Sequence, residues 1–217
     1  MRRIERVLEG APPYDYNARG ISLRRVRRHE DDGMSMLAIY RDDGERLERT
    51  RDFEAIANQL HGADVLFERW RADRQLKANA GQEEIIAAYR GSVDRLMKHY
   101  NFKAADVNSM TPDHPDKIAL RNKFLDEHTH SDFEVRFFVE GQGLFFILSG
   151  DRVYAILCTQ GDLISVPANT PHWFDMGAAP QLKCIRLFTT PEGWVANYTG
   201  SAIAKRFPTL DTFAAGR

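Results

Sequence analysis

A chain of 217 residues is long enough for one domain with a sizeable core and short for two. Hydrophobic residues at 43% and charged residues at 28% mark an ordinary globular chain and exclude a disordered or membrane-embedded one. The 30 basic and 31 acidic side chains leave a formal net charge of -1, which gives no overall field to attract nucleic acid or an anionic membrane, so neither partner is expected. No apolar run approaches the ~20 residues of a membrane-spanning helix. The first thirty residues lack the apolar block of a secretory signal, and the cytoplasm is the expected location. Cys158 and Cys184 sit in apolar, strand-like runs and match no zinc spacing; two reduced, buried thiols are expected.

Residues 1–33 stand apart as an expected flexible extension, arginine-rich and without sustained periodicity, before a single domain over 34–217. The run Arg24-Arg25-Val26-Arg27-Arg28 lacks interleaved aromatics and reads as a solvated face. Met36 to Tyr40 then reads as a strand that ends at the turn Asp42-Asp43-Gly44. Thr50 or Asp52 can cap a helix carrying Phe53, Ile56, Ala57 and Leu60, which Gly62 closes. Val65 to Trp70 is a second strand, and Ile85, Ile86, Tyr89, Val93, Leu96, Met97 and Tyr100 draw one apolar stripe along a long helix over 82–100. A further helix runs from Asp116 to about Leu125. Beyond residue 126 the period becomes strand-like: Glu134 to Glu140, Leu144 to Leu148, Val153 to Cys158, Leu163 to Val166, His172 to Asp175 and Leu182 to Thr189. Many short strands with tight turns predict a β barrel or jelly roll, with the tail from Pro191 to Pro208 packed across it.

Within this β region, His128, His130 and Glu134 share one parity along a strand and so point to one face. His172, between Pro171 and Trp173, is a fourth candidate ligand. Three imidazoles and a carboxylate suit a divalent first-row metal better than Ca or Mg. Four protein ligands on an octahedral ion leave two positions for water or a bidentate substrate, so the pattern points to catalysis rather than a closed structural site. A single histidine is more often a structural residue, but here three coincide with a glutamate of the right parity; His29, His61, His99 and His114 lack such company. Arg136 follows Glu134 by two and falls on the same face. It either pairs with Glu134 or another acid, or awaits an anionic substrate. Phe174, and by parity Phe138, face inward with the ligands.

The strings Glu127-His128-Thr129-His130, Glu134-Val135-Arg136-Phe137-Phe138-Val139-Glu140-Gly141, Gly161-Asp162-Leu163-Ile164-Ser165-Val166-Pro167, Thr170-Pro171-His172-Trp173-Phe174-Asp175-Met176-Gly177 and Pro191-Glu192-Gly193-Trp194 closely resemble the acireductone dioxygenase family of cupins, from about Met34 to Pro208. The resemblance implies a mainly β cupin double-stranded β-helix with N-terminal helices packed outside. It implies one Fe or Ni ion per chain, held by His128, His130, Glu134 and His172, and a monomer. It further implies that Arg136, Phe124, Phe174 and Trp194 surround the substrate of methionine salvage, 1,2-dihydroxy-3-keto-5-methylthiopentene, which reacts with O2. Fe would give formate and 4-methylthio-2-oxobutanoate; Ni would give 3-methylthiopropionate, formate and CO. An oxygen-independent metal-dependent isomerase and a non-enzymatic small-molecule-binding cupin are the competing readings. Two departures stand out. Phe133 replaces the acidic residue common before the metal glutamate, with Asp132 one place earlier, and the first 33 residues are extra. The extension is expected to be dispensable, with Met34 or Met36 as alternative translation starts.

Overall fold

The strand-like runs assemble into two antiparallel sheets that share a single bent strand. The structure is a computed structural model that describes residues 35–77, 79–190 and 194–215, so the expected extension lies outside the described residues. In chain order the elements are β1 (Met36–Arg41), β2 (Arg46–Thr50), α1 (Phe53–His61), β3 (Leu66–Arg69), α2 (Gln82–Ala88), α3 (Arg90–Tyr100), β4 (Ala104–Met110) and α4 (Lys117–Leu125). They continue with β5 (His128–Thr129), β6 (Glu134–Ser149), β7 (Arg152–Thr159), β8 (Asp162–Val166), β9 (His172–Asp175), β10 (Leu182–Phe188), β11 (Asn197–Tyr198), a short 3-10 turn and α5 (Leu210–Ala214). One sheet runs β11-β5-β9-β6-β7-β1-β2 and the other β4-β10-β6-β8-β3.

β6 is the hinge of this architecture. Its first half pairs with β8 and β10, and its second half with β7 and β9. The glycine punctuation between Glu140 and Leu144 predicts two strands, but the structure has one continuous strand turning a corner. Gly141 takes φ +72°, and a Cβ there would lie 1.8 Å from the Gln181 carbonyl oxygen, so only glycine lets the strand change sheets. The corner also resets side-chain alternation: Phe138 before it, then Phe145 and Ile147 after it, enter the same core between the sheets. That core collects Leu37, Phe67, Cys158, Ile164, Phe174 and Cys184 from six other strands.

The two outer faces are covered differently. Val135, Phe137, Val139, Ile185 and Leu187 pack under Ile85, Tyr89, Val93 and Leu96 of α2 and α3, which places these helices outside the barrel. Leu144, Phe146, Ala155 and Trp173 are covered by the tail through Phe207, Leu210 and Phe213. Between the caps at Asp52, whose carboxylate accepts the Ala55 N–H at 2.8 Å, and Gly62, α1 forms where its apolar spacing predicts. The helix expected over 82–100 is instead broken at Tyr89, where φ is −112°, because Tyr89 N–H bonds to Ile86 rather than to a carbonyl one residue further back. β2 and β4 carry little alternation of apolar and polar residues, and neither was expected; both are placed by pairing with β1 and β10. Among the described residues no helix is long and apolar enough to cross a membrane.

Candidate metal centre

His128 lies on β5 directly opposite His172 on β9, while Glu134 opens β6 in the other sheet, opposite Val166 of β8. The expectation of one strand through 127–138 is therefore corrected: the chain leaves β5 at His130 and re-enters a strand at Glu134. The Asp132 carboxylate fixes the bend by accepting the N–H groups of Phe133 at 2.7 Å and Thr189 at 2.8 Å. The three ligands from this segment converge because β5 belongs to one sheet and the start of β6 to the other, and not because they alternate along one strand. One ligand atom from each of His128, His130, Glu134 and His172 lies within 4.8 Å of the others, and all four residues are buried.

Each imidazole is oriented from behind by a backbone carbonyl. His128 Nδ1 is 2.7 Å from Asp126 O, His130 Nδ1 is 2.8 Å from Val195 O, and His172 Nδ1 is 2.7 Å from Thr170 O. A carbonyl can only accept, so Nδ1 carries the proton in all three rings and Nε2 presents a bare lone pair to the centre. The Nε2 atoms of His130 and His172 each stand 3.0 Å from Glu134 Oε2, lone pair facing lone pair. A cation among them converts three nitrogens and one oxygen from mutual repulsion to shared coordination, so the residues fit a divalent first-row metal. Without a cation the ligands ionise differently from one another. Burial, followed by His172, pushes the His128 imidazolium down to about 4. Burial also opposes charge on His130, but Glu134 outweighs it and raises that ring. For Glu134 burial acts upward, yet Arg136 and the two histidines hold the carboxyl well below the usual range.

Arg136 is 2% exposed and donates Nε–H to Glu134 Oε1 at 2.7 Å. The pairing with Glu134 is thus real, but it uses only part of the guanidinium: Nη1 is buried with no hydrogen-bond partner among the described residues. Four rings surround the guanidinium carbon, at 4.5 Å (Phe174), 5.4 Å (Phe145), 5.6 Å (Trp194) and 5.8 Å (Phe124). Trp194 also stacks on His130 and donates its indole N–H to the Phe133 carbonyl at 2.8 Å. Phe133 itself packs into the core beneath α2 and α3. Phe138 is fully buried in the core between the sheets. Sequence reasoning missed Phe145, whose place in the run Leu144 to Leu148 could not be assigned a face without knowing the corner at Gly141. It also missed the three orienting carbonyls, which no residue type reveals.

A barrel of two antiparallel sheets enclosing three imidazoles and a carboxylate is that of a metal-binding cupin. The family model for ARD/ARD' matches residues 36–196. The acireductone dioxygenase of Aquifex aeolicus is 58% identical over 183 residues, spanning 84% of this chain and 100% of that protein. The acireductone dioxygenase of Methylococcus capsulatus is 60% identical over 181 residues, 83% of this chain and 97% of the relative. A solved acireductone dioxygenase from Bacillus anthracis, with a cadmium ion in its active centre, superposes with a TM-score of 0.68 at 30% identity, covering 77% of this chain and 100% of its own. The chain belongs to the ARD/ARD' family.

Proposed function

We propose that this protein is a metal-dependent acireductone dioxygenase that cleaves 1,2-dihydroxy-3-keto-5-methylthiopentene with O2. The observation that carries the reading is the unpartnered Nη1 of buried Arg136 beside a three-nitrogen, one-oxygen donor set. A desolvated donor with no acceptor costs free energy, and an anionic oxygen of the substrate supplies that acceptor. His128, His130, Glu134 and His172 would hold one Fe or Ni ion. Bound there, the ion supplies Lewis-acid binding of the enediolate oxygens and activation of O2.

The protein's own groups do the rest. The three backbone carbonyls hold the neutral rings in the tautomer whose Nε2 is free to coordinate, and Arg136 Nε keeps Glu134 ionised and oriented. Arg136 Nη1 donates to an enediolate oxygen and stabilises its charge, while Phe124, Phe145, Phe174 and Trp194 exclude water and flank the apolar tail. Expected products are formate and 4-methylthio-2-oxobutanoate from the Fe form, and 3-methylthiopropionate, formate and CO from the Ni form. We further take residues 34–217 as the catalytic domain, residues 1–33 as a dispensable extension, and the working unit as a cytoplasmic monomer. The test is product analysis of protein loaded separately with Fe and with Ni, with and without O2. Turnover of the acireductone only with O2 is expected; turnover under anaerobic conditions would instead assign an isomerase.

A further inference from the structure

Gly143 lies on β6 past the corner, paired with Cys158 and two residues before Phe145. Its backbone does not explain it, because it is absent from the residues with positive φ. Space does. A Cβ at this position would lie 2.3 Å from Cζ and 2.5 Å from Cε2 of Phe174, and 3.4 Å from Cε1 of Phe138. The edge of the Phe174 ring therefore occupies the volume that any other side chain would fill, the close approach for which a strand interior uses glycine.

The same ring lies 4.5 Å from the Arg136 guanidinium carbon and 4.7 Å from the centre of the Phe145 ring. Phe138 Cε1 lies 3.4 Å from the same Cβ position and the Phe145 ring packs 4.7 Å from Phe174, so a displaced Phe174 meets both rings on those sides. Its remaining neighbour is Arg136, whose Nη1 has no hydrogen-bond partner among the described residues. We propose that Gly143 is a specificity-determining residue: its missing side chain lets Phe174 lie back against β6, and the depth so gained beside Arg136 holds the substrate's apolar tail. The proposal rests on the acireductone reading. A thioether tail suits this wall, since sulfur packs favourably against aromatic rings.

The experiment compares Gly143→Ala with wild type on two acireductones, one carrying the methylthio tail and one with a shorter alkyl tail, together with metal content and a crystal structure. For Gly143→Ala, KM for the methylthio substrate should rise about tenfold or more while that for the short-tailed one changes less than about threefold. Metal per chain should match wild type, and the Phe174 ring should be displaced toward Arg136. Equal losses on both substrates, no loss on either, lost metal, or an unmoved ring would overturn the proposal. The double variant Gly143→Ala/Phe174→Leu decides the case even if the single variant fails to fold. It should fold and recover the tail preference of Phe174→Leu alone; a double variant that stays impaired shows that the cost of the added methyl does not act through Phe174. Should wild type turn over neither acireductone, the functional reading fails, and the ring position in the variant crystal still judges the steric part separately.

Discussion

Glu134 with Arg136 and Asp175 with Arg121 each join a buried acid to an arginine, the first arginine buried and the second partly exposed, each closed by a 2.7 Å contact to Nε, yet they end differently. Asp175 receives Nε–H and Nη2–H of Arg121 at 2.7 and 2.9 Å, the Gly177 N–H at 2.9 Å and the Leu210 N–H at 2.8 Å. Every acceptor there has a donor, and the pair fastens α4, which carries Phe124, to the end of β9 and to α5. At Glu134, Oε2 faces two imidazole lone pairs, and Nη1 of Arg136 keeps both its N–H groups without an acceptor among the described residues. Low polarity makes such gaps expensive, so a satisfied buried pair reads as a fastening and an unsatisfied one as a place where something binds.

The largest expected effect separates the two pairs outright. Glu134→Ala should lose both metal, by elemental analysis, and turnover, since three neutral imidazoles remain beside an Arg136 stripped of its counter-charge. Arg136→Met should keep the metal but reduce kcat by about 10²–10³, the usual cost of removing one donor from a developing oxyanion. Lost metal with a normal rate per bound ion would show instead that Arg136 serves only Glu134, as Arg121 serves Asp175.

Much of the unsatisfied pair was legible in the sequence, and little of the satisfied one. His128, His130, Glu134 and His172 announce themselves by type, because few side chains ligate a metal, and Arg136 by its place two residues after Glu134. Even so, parity located their faces by a route the fold does not use, since the strand breaks at Asp132. Arg121 and Asp175 are 54 positions apart, and nothing local ties an exposed-looking helical arginine to an aspartate on a strand. The strands with strong alternation were readable, whereas β2, β4 and the corner in β6 depend on partners far along the chain.

Arg121→Met should leave metal binding intact and cost about 3 kcal/mol of stability at pH 7, the penalty for orphaning a buried charge. Its pH dependence sharpens the point. Burial raises the Asp175 carboxyl, but the hydrogen bonds of Arg121, Leu210 and Gly177 outweigh it and hold the group below the usual range. Its contribution is therefore complete above the unfolded value of ~4 and is lost as pH falls through the lower folded value. Burial lifts Asp162 the other way despite Arg69, so that group contributes with opposite sign. The discriminating quantity is thus the gap between wild type and Arg121→Met in urea melts, which should narrow below pH ~4. A gap constant down to acid would mean that Arg121 stabilises by packing alone.

The smallest effect concerns the domain's first described residue. Ser35 is 1% exposed, donates its hydroxyl to Asp162, and accepts from Arg69 Nη2 at 2.6 Å, while Arg69 Nε reaches Asp162 at 2.7 Å. This third acid–arginine pair is fully engaged, with the Thr159 N–H adding a further donor at 2.8 Å, so by the same logic it is a fastening. A chain beginning at Met34 retains the hydroxyl, and one beginning at Met36 does not. Ser35→Ala should lower stability by about 1–2 kcal/mol, as for a hydrogen bond to a charged group, with kcat, KM and metal content unchanged. The chain starting at Met36 should show at least that loss in its urea midpoint, and the chain starting at Met34 none. Equal midpoints for the two shortened chains would mean that Asp162 is held well enough by Arg69 and Thr159 alone.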